Sequence, residues 1–160
     1  MQAAYVDFDQ IGFCLPARED DPDTHRIKAL NLGAMWPNFR SAGARCLISS
    51  GFVNTRDVIR MYAGAVPGTA LTVCRLRAGD DELTKRIFLR GRGGGPPIPG
   101  DELTGQPAEW LARFAAESVR VAADLERDGI GDRCVDTDGR SIAEVARLVR
   151  GAAGGWPRLG

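Results

Sequence analysis

The chain has 160 residues, of which 44 % are hydrophobic and 26 % are charged, and its formal net charge is zero. This composition is typical of a globular domain with a real core, and the zero net charge excludes a protein that binds nucleic acid through bulk positive charge. No apolar run approaches the roughly 20 residues of a membrane helix and the first residues lack a signal-peptide pattern, so we expect a cytoplasmic protein without a membrane or nucleic-acid partner.

The cysteine pattern indicates a reduced protein. No two of the four cysteines lie two to four residues apart, which excludes the usual zinc-knuckle spacing. Cys46, Cys74 and Cys134 lie in apolar runs, where cysteine usually acts as a small buried hydrophobe. We therefore expect no disulfide framework. The bias towards Ala, Gly, Arg and Asp is typical of a chain from a high-GC bacterium.

Hydrophobic periodicity divides the chain into alternating strand and helix patterns. Short apolar runs predict strands over residues 3–8, 45–53, 69–76 and 132–135. Apolar residues at helical spacing predict helices over residues 24–42, 55–63, 80–90, 107–127 and 142–150. Residues 91–100, rich in Gly and Pro, predict either a domain linker or a mobile active-site loop, and residues 151–160 predict a flexible tail.

Some helix ends carry recognisable capping residues. Asp23 or Thr24 can cap the first helix, and Gly43 is its natural stop. Ser141 precedes the last helix and Glu144 occupies its third position, a spacing that predicts a capping box. These signals place the boundaries of the first and last helices.

Strands and helices alternate along the whole chain. That order predicts a three-layer α/β/α fold, in which helices cover both faces of a mostly parallel sheet. We expect a single α/β domain over residues 1–150, with a lid at about residues 86–106 and the flexible tail after it.

Four segments together resemble one protein family. Residues 6–12 (VDFDQIG), 48–51 (ISSG) and 72–77 (TVCRLR) are similar to the second, third and fourth strands of small P-loop kinases. Residues 135–145 (VDTDGRSIAEV) resemble their final strand, adenine-side loop and last helix. These kinases are of the nucleoside, shikimate and adenylylsulfate kinase type. The resemblance implies a P-loop kinase-like α/β fold without its first strand and P-loop helix.

The resemblance also implies a function. It indicates a phosphotransferase that uses ATP and Mg²⁺ and moves the γ-phosphate to a small hydroxyl-bearing acceptor. Asp9 would position the acceptor or hold Mg²⁺, with Asp7 as the second catalytic candidate. Arg86 and Arg90 would stabilise the transferring phosphoryl group. The residues expected at the cofactor are Arg92, Asp136, Thr137 and Gly139. The residues expected at the acceptor are Gln10, Ser49, Ser50 and Gly51.

Structural alternatives stay open for these residues. Turn chemistry at a strand end explains the two serines equally well, and a solvated helix face explains any single arginine. His25, the only histidine, lies beside acidic residues at a helix start, and we expect it to have a surface role. Residues 91–95 (GRGGG) follow a helix and lack Gly-Lys-Ser/Thr, so they predict a flexible lid and not a phosphate-binding loop.

One element of the family does not occur in the sequence. The phosphate loop GxxxxGK[ST] is absent from the 160 residues. We therefore expect either part of a longer kinase or a shortened relative, with poor ATP binding and two inner strand edges left unpaired. The alternative function is a degenerate, non-catalytic relative that binds a small molecule or a protein. A homodimer is one way to cover the exposed sheet edge.

Overall fold

A computed structural model describes residues 2–14, 16–95 and 101–153, which contain five α-helices and four short β-strands. The elements are β1 (Ala3–Asp7), α1 (His25–Ser41), β2 (Cys46–Ser50), α2 (Arg56–Ala65), β3 (Cys74–Arg77), α3 (Asp80–Gly91), α4 (Ala108–Arg127), β4 (Arg133–Asp136) and α5 (Ile142–Ala152). The mixed α/β class and the predicted order of elements are confirmed. Residues 96–100 of the predicted lid and residues 154–160 of the predicted tail lie outside the described residues.

The described strands form two small sheets, where the sequence predicted one. β1 pairs with β2 and β3 pairs with β4, in both cases in parallel, as predicted. Within the described ranges, β2 has only β1 as a strand neighbour and β3 has only β4, so the four strands do not pair into one sheet. The chain divides between Leu71 and Thr72 into two compact units, each with one of these sheets. The single domain and the P-loop kinase-like arrangement stay predictions.

The first unit has a core shared by its sheet and its two helices. Ala4 and Val6 alternate along β1 and are 8 % and 2 % exposed, as expected for a strand with one buried face. They belong to one hydrophobic cluster with Leu32 and Trp36 of α1 and Tyr62 of α2. Leu32 and Trp36 are four residues apart and therefore lie on the same face of their helix. This core holds the carboxyl end of β1 against the start of α1.

The start of α1 is capped by a residue that sequence reasoning did not select. The Asp21 carboxylate accepts hydrogen bonds from the backbone N–H groups of His25 at 2.8 Å and Arg26 at 3.0 Å. The prediction of Asp23 or Thr24 as the cap is wrong. Thr24 has a left-handed backbone (φ 55°), and its side chain makes no capping bond because a capping residue is normally extended.

The end of α1 has the geometry predicted from its glycine. Gly43 has a φ of 99° and donates its N–H to the Arg40 carbonyl oxygen at 2.9 Å. The Ala44 N–H donates to the Phe39 carbonyl oxygen at 2.9 Å, which completes a Schellman motif. Residues with a side chain rarely adopt this backbone conformation, so a glycine is favoured here. The chain then continues into β2.

The second unit combines the β3–β4 sheet with α3, α4 and α5. Its core cluster contains Ile87 of α3, Leu111 and Ala115 of α4, and Leu103 from the segment before α4. Gly91 allows the close approach of α3 and α4, because a Cβ atom there would lie 2.3 Å from Leu111 Cδ1. Tight packing of this kind fixes the two helices relative to each other.

The prediction for the start of the last helix is confirmed, whereas the prediction for a cysteine on the last strand is wrong. The Ser141 hydroxyl accepts from the Glu144 N–H at 3.3 Å, and the Glu144 carboxylate accepts from the Ser141 N–H at 2.8 Å. The predicted capping box is therefore confirmed. Cys134 on β4 is exposed, so the prediction that it is a buried hydrophobe is wrong. The side chains of a two-stranded sheet are less shielded from solvent than those of a strand inside a larger parallel sheet, which helices cover on both faces.

Candidate functional site

Six of the predicted site residues lie where β1 and β2 end. Asp7 is the register partner of Ser50, the last residue of β2. The Phe8 N–H donates to the Ser50 carbonyl oxygen at 2.8 Å, so the two chains stay paired for one further step. Parallel strands present their carboxyl ends at the same sheet edge, where α/β proteins commonly bind ligands. The predicted residues at this edge are Asp7, Asp9, Gln10, Ser49, Ser50 and Gly51.

Asp9 lies in the turn after β1. One Asp7 carboxylate oxygen accepts the Asp9 N–H at 2.9 Å, and the Asp7 carbonyl accepts the Gln10 N–H at 3.2 Å. These two bonds close the turn and fix the backbone of Asp9. The Asp9 side chain is 61 % exposed. Asp7 therefore has a demonstrated structural contact in the turn, whereas the Asp9 carboxylate is accessible to a small molecule.

The Asp9 carboxylate pairs with a charged side chain, Lys28 of α1. The Lys28 ammonium donates to Asp9 Oδ1 at 3.1 Å, and the Lys28 side chain is 10 % exposed. Sequence reasoning missed Lys28. The only available signal was its position in the first turn of a helix that follows a strand ending in Asp. We call Asp7, Asp9, Lys28 and Ser50 the strand-end site.

The end of β2 contributes a hydroxyl group and a tight turn. Ser50 Oγ and the Tyr5 hydroxyl are 2.7 Å apart and share a hydrogen bond on the exposed side of the sheet. Gly51 has a φ of 146°, and a Cβ atom there would lie 2.7 Å from Phe8 Cβ. Glycine at position 51 therefore lets the β2 turn lie directly on the residue that precedes Asp9. Gln10 and Ser49 are exposed at this edge.

His25 is buried, so the predicted surface role is wrong. Its ring is 6 % exposed, and Nδ1 lies 3.0 Å from the hydroxyl of Tyr62, which is 4 % exposed. Tyr62 stacks on Phe8 with ring centroids 4.2 Å apart. Burial lowers the pKa of His25 and raises the pKa of Tyr62. The error arose because α2, which follows 30 residues later, covers this end of α1.

In the second unit, Arg86 contacts one of the residues predicted at the cofactor, Thr137. Its guanidinium donates to Thr137 Oγ1 at 2.8 Å and to the Thr137 carbonyl oxygen at 3.2 Å, and also to Glu82 at 3.0 Å. Asp136 lies next to Thr137 and pairs with Arg77 at 3.0 Å. The Asp138 backbone N–H, together with Arg77, lowers the pKa of Asp136. The arginine thus ties α3 to the end of β4.

The other predicted site residues of this unit lie away from Arg86 and Thr137 or at exposed positions near them. Arg90 donates to Asp101 at 2.8 Å, on the segment before α4. Arg92 is exposed directly after α3. Gly139 lies in the exposed turn between β4 and α5, with nothing within 4 Å of a Cβ atom built there. The structure thus groups Arg86 with Asp136 and Thr137, and it does not group Arg90 with them.

One oxygen of the Asp9 carboxylate is already paired with a cation. Magnesium prefers an octahedral shell of oxygen ligands, and a lysine ammonium 3.1 Å from Asp9 Oδ1 competes for the same oxygen. Within residues 2–14, 16–95 and 101–153, no group of three or more His, Cys, Asp or Glu side chains could hold a metal ion. The role of Asp9 as a metal ligand stays a prediction, because Mg²⁺ is commonly bound through one or two carboxylates together with substrate phosphates.

Comparison with models of protein families, with curated proteins and with solved structures found no match. Among the described residues, no helix combines the length and apolar character needed to span a membrane.

Proposed function

We propose that the chain is a P-loop kinase-like phosphotransferase, or the acceptor-binding part of one, which directs the γ-phosphate of ATP to a small hydroxyl-bearing acceptor. The observation that carries the proposal is the strand-end site. Two in-register parallel strands place Asp7 and Ser50 side by side, and the turn presents Asp9 with an exposed carboxylate. This arrangement matches a role for Asp9 in binding an acceptor hydroxyl.

The chemistry of the site suits a hydroxyl group. A carboxylate accepts the hydrogen bond of an alcohol, orients its oxygen and can take its proton as transfer proceeds. Asp9 Oδ1 is already held by Lys28, so Oδ2 is the oxygen left for the acceptor. The nearby Ser50 hydroxyl can donate to or accept from a second hydroxyl of the same molecule. A small polyol therefore fits this edge better than an apolar compound does.

The pairing of the strands is compatible with the proposed class. The resemblance places a further strand, with the phosphate loop, in the middle of the sheet, and without it two inner strand edges stay unpaired. In the described residues each sheet has two strands only. The arginines and Asp9 cannot replace a phosphate loop, whose backbone N–H groups and lysine hold the β- and γ-phosphates. We therefore expect this chain to bind ATP weakly.

The first test measures acceptor binding by calorimetry with three compounds that carry hydroxyl groups: adenosine, shikimate and adenylyl sulfate. We expect at least one to bind, and Asp9→Asn to weaken it about 10-fold or more, the usual loss for a hydrogen bond to a charged group. Asp57→Asn is the matched control, because Asp57 is 87 % exposed and pairs with Arg60 three residues along its helix. Equal binding by Asp9→Asn would remove Asp9 from the acceptor site.

The second test measures ATP binding with a fluorescent ATP analogue in the presence of Mg²⁺. We expect no saturation in the micromolar range, because the phosphate loop is not part of this sequence. Micromolar binding would contradict the expectation of poor ATP chemistry. In any catalytically active form that includes a phosphate loop, Asp9→Asn is expected to abolish turnover.

A second candidate function is binding without catalysis, and one observation favours it. The guanidinium groups of Arg86 and Arg90 are bound to protein acceptors, Thr137 and Asp101, and so are not free to clamp a phosphoryl group in this conformation. Transfer of radiolabelled γ-phosphate to a bound acceptor distinguishes the two functions. Binding without transfer in a form that includes the phosphate loop supports the non-catalytic relative.

A further inference from the structure

Lys28 is a buried cation near the start of α1. It is one of two lysines in the chain and lies on α1, one helical turn after His25. The residue is 8 % exposed, and its neighbour in the helix, Ala29, belongs to the hydrophobic core. Removing an ammonium group from water is costly unless a charged partner compensates it. Lys28 pairs with Asp9, 19 residues earlier.

The loop after β1 is shaped around the Lys28 side chain. A Cβ atom at Gly12 would lie 2.4 Å from Lys28 Cε and 2.6 Å from Lys28 Cγ. The loop backbone therefore lies directly on the methylene chain of the lysine. The Asn31 side chain, one turn further along α1, donates to the Ile11 carbonyl oxygen at 2.7 Å and holds the same loop. Helix and loop together fix where the ammonium group can be.

We propose that Lys28 is a positioning residue that holds one Asp9 oxygen so that the other faces the acceptor hydroxyl. This inference rests on the proposed function. An exposed aspartate normally samples several rotamers, and ordering it costs free energy when a ligand binds. A buried ammonium at 3.1 Å fixes the carboxylate before the acceptor arrives. Lys28 thus acts through Asp9 and need not touch the acceptor.

The burial of Lys28 and its pairing with Asp9 are tested by the rates at which the two lysines react with acetic anhydride. Mass spectrometry follows the reaction. Lys85 is the internal control, since its side chain is 74 % exposed whereas that of Lys28 is 10 % exposed. We expect Lys28 to react at least about 10-fold more slowly than Lys85, because a paired and buried amine is shielded. Asp9→Asn should raise the Lys28 rate several-fold and leave the Lys85 rate unchanged. Equal rates for both lysines in the wild type would overturn the inference.

The positioning role is tested by a double-mutant cycle on acceptor binding, measured with whichever of adenosine, shikimate and adenylyl sulfate binds. We expect Lys28→Met to weaken binding about 5- to 20-fold, and the double variant with Asp9→Asn to bind no more weakly than Asp9→Asn alone. A purely structural lysine gives additive losses instead. Lys85→Met is the matched control and is expected to bind like the wild type. Circular dichroism confirms that each variant is folded.

The outcomes separate the inference from the function on which it rests. If none of the three compounds binds the wild type, the proposed function fails, and the positioning role fails with it. If binding is present but Lys28→Met leaves it unchanged or adds to the loss from Asp9→Asn, the inference is wrong and the proposed function stands. A non-additive loss with slow acylation of Lys28 supports both.

Discussion

Replacing Tyr62 with phenylalanine tests the buried contact that closes the first unit. The substitution removes one hydroxyl group and keeps the ring, so the stack on Phe8 and the packing of the core should survive. What is lost is the hydrogen bond with His25 Nδ1 at 3.0 Å. Among the residues that the structure describes, the other ring nitrogen, Nε2, is buried without a hydrogen-bond partner. In the variant the imidazole would therefore have no hydrogen bond at either nitrogen.

The size of the effect follows from burial. A buried polar group that loses its partner destabilises a protein by about 1–3 kcal/mol, whereas an exposed one regains a hydrogen bond from water. Tyr62 and His25 are 4 % and 6 % exposed, so water does not replace the lost hydroxyl. No cavity term is added, because only one oxygen atom is removed. We expect the free energy of unfolding to fall by about 1–2.5 kcal/mol.

Urea unfolding followed by the fluorescence of Trp36 measures this change, since Trp36 lies in the same core cluster as Tyr62. Trp110 and Trp156 are replaced by phenylalanine in all samples, so that Trp36 is the only tryptophan observed. Tyr5→Phe is the matched control: the Tyr5 hydroxyl also makes one hydrogen bond, but the residue is 61 % exposed. Tyr5→Phe should change stability by less than about 0.5 kcal/mol. An equally small change for Tyr62→Phe would refute the reasoning.

Three further predictions follow from the same structure. Burial lowers the pKa of His25, so below about pH 6.5 the unfolded chain binds more protons than the folded chain does. The free energy of unfolding should therefore fall as the pH drops below that value. Urea titrations at several pH values measure this slope, and His25→Gln should remove it. Gly12→Ala should lower the free energy of unfolding by about 1–3 kcal/mol, because the added Cβ meets the Lys28 side chain. Gly64→Ala, with open space around its position in α2, should leave stability unchanged or raise it by up to about 1 kcal/mol. Ser141→Ala should destabilise the second unit by about 1 kcal/mol through loss of the capping box, measured by thermal unfolding.

Each of these has a result that contradicts it. A wild-type stability that is flat between pH 7 and pH 5.5 would mean that His25 does not titrate differently in the folded and unfolded chain. Equal losses for the two glycine variants would show that the contact with Lys28 is not what constrains position 12. A silent Ser141→Ala would mean that the start of α5 contributes nothing to the stability of its unit.

The elements of the fold were predictable where their causes are local. The five helices and four strands were found from periodicity, and the end of α1 and the start of α5 follow from Gly43 and Ser141. A Schellman glycine or a capping box depends on residues within one or two turns, so the sequence carries the information. The division into two sheets was not predictable in this way, because strand pairing depends on partners that are distant along the chain.

The residues of the candidate site show the same difference between local and distant causes. Asp9 and Ser50 were selected because they follow apolar runs, and strand ends are read from neighbouring residues. His25 and Lys28 were missed because their burial depends on Tyr62 and on the loop around Gly12, which the chain brings to α1 only after folding. A helix start beside acidic residues is exposed in most sequences with this pattern. Only the packing of α2 and the loop against that start makes the two residues internal.

The burial of two titratable side chains in one helical turn itself argues for a site at this end of the unit. A core built only for stability is better served by apolar residues, because a buried ion pair seldom exceeds the contribution of a packed hydrophobic pair. His25 and Lys28 nevertheless replace apolar residues on the face of α1 that continues into the core through Ala29 and Leu32. What they contribute is the fixed placement of Asp9 and of the Phe8–Tyr62 stack beside it. Such an arrangement is expected if the position of one exposed carboxylate serves the proposed acceptor site.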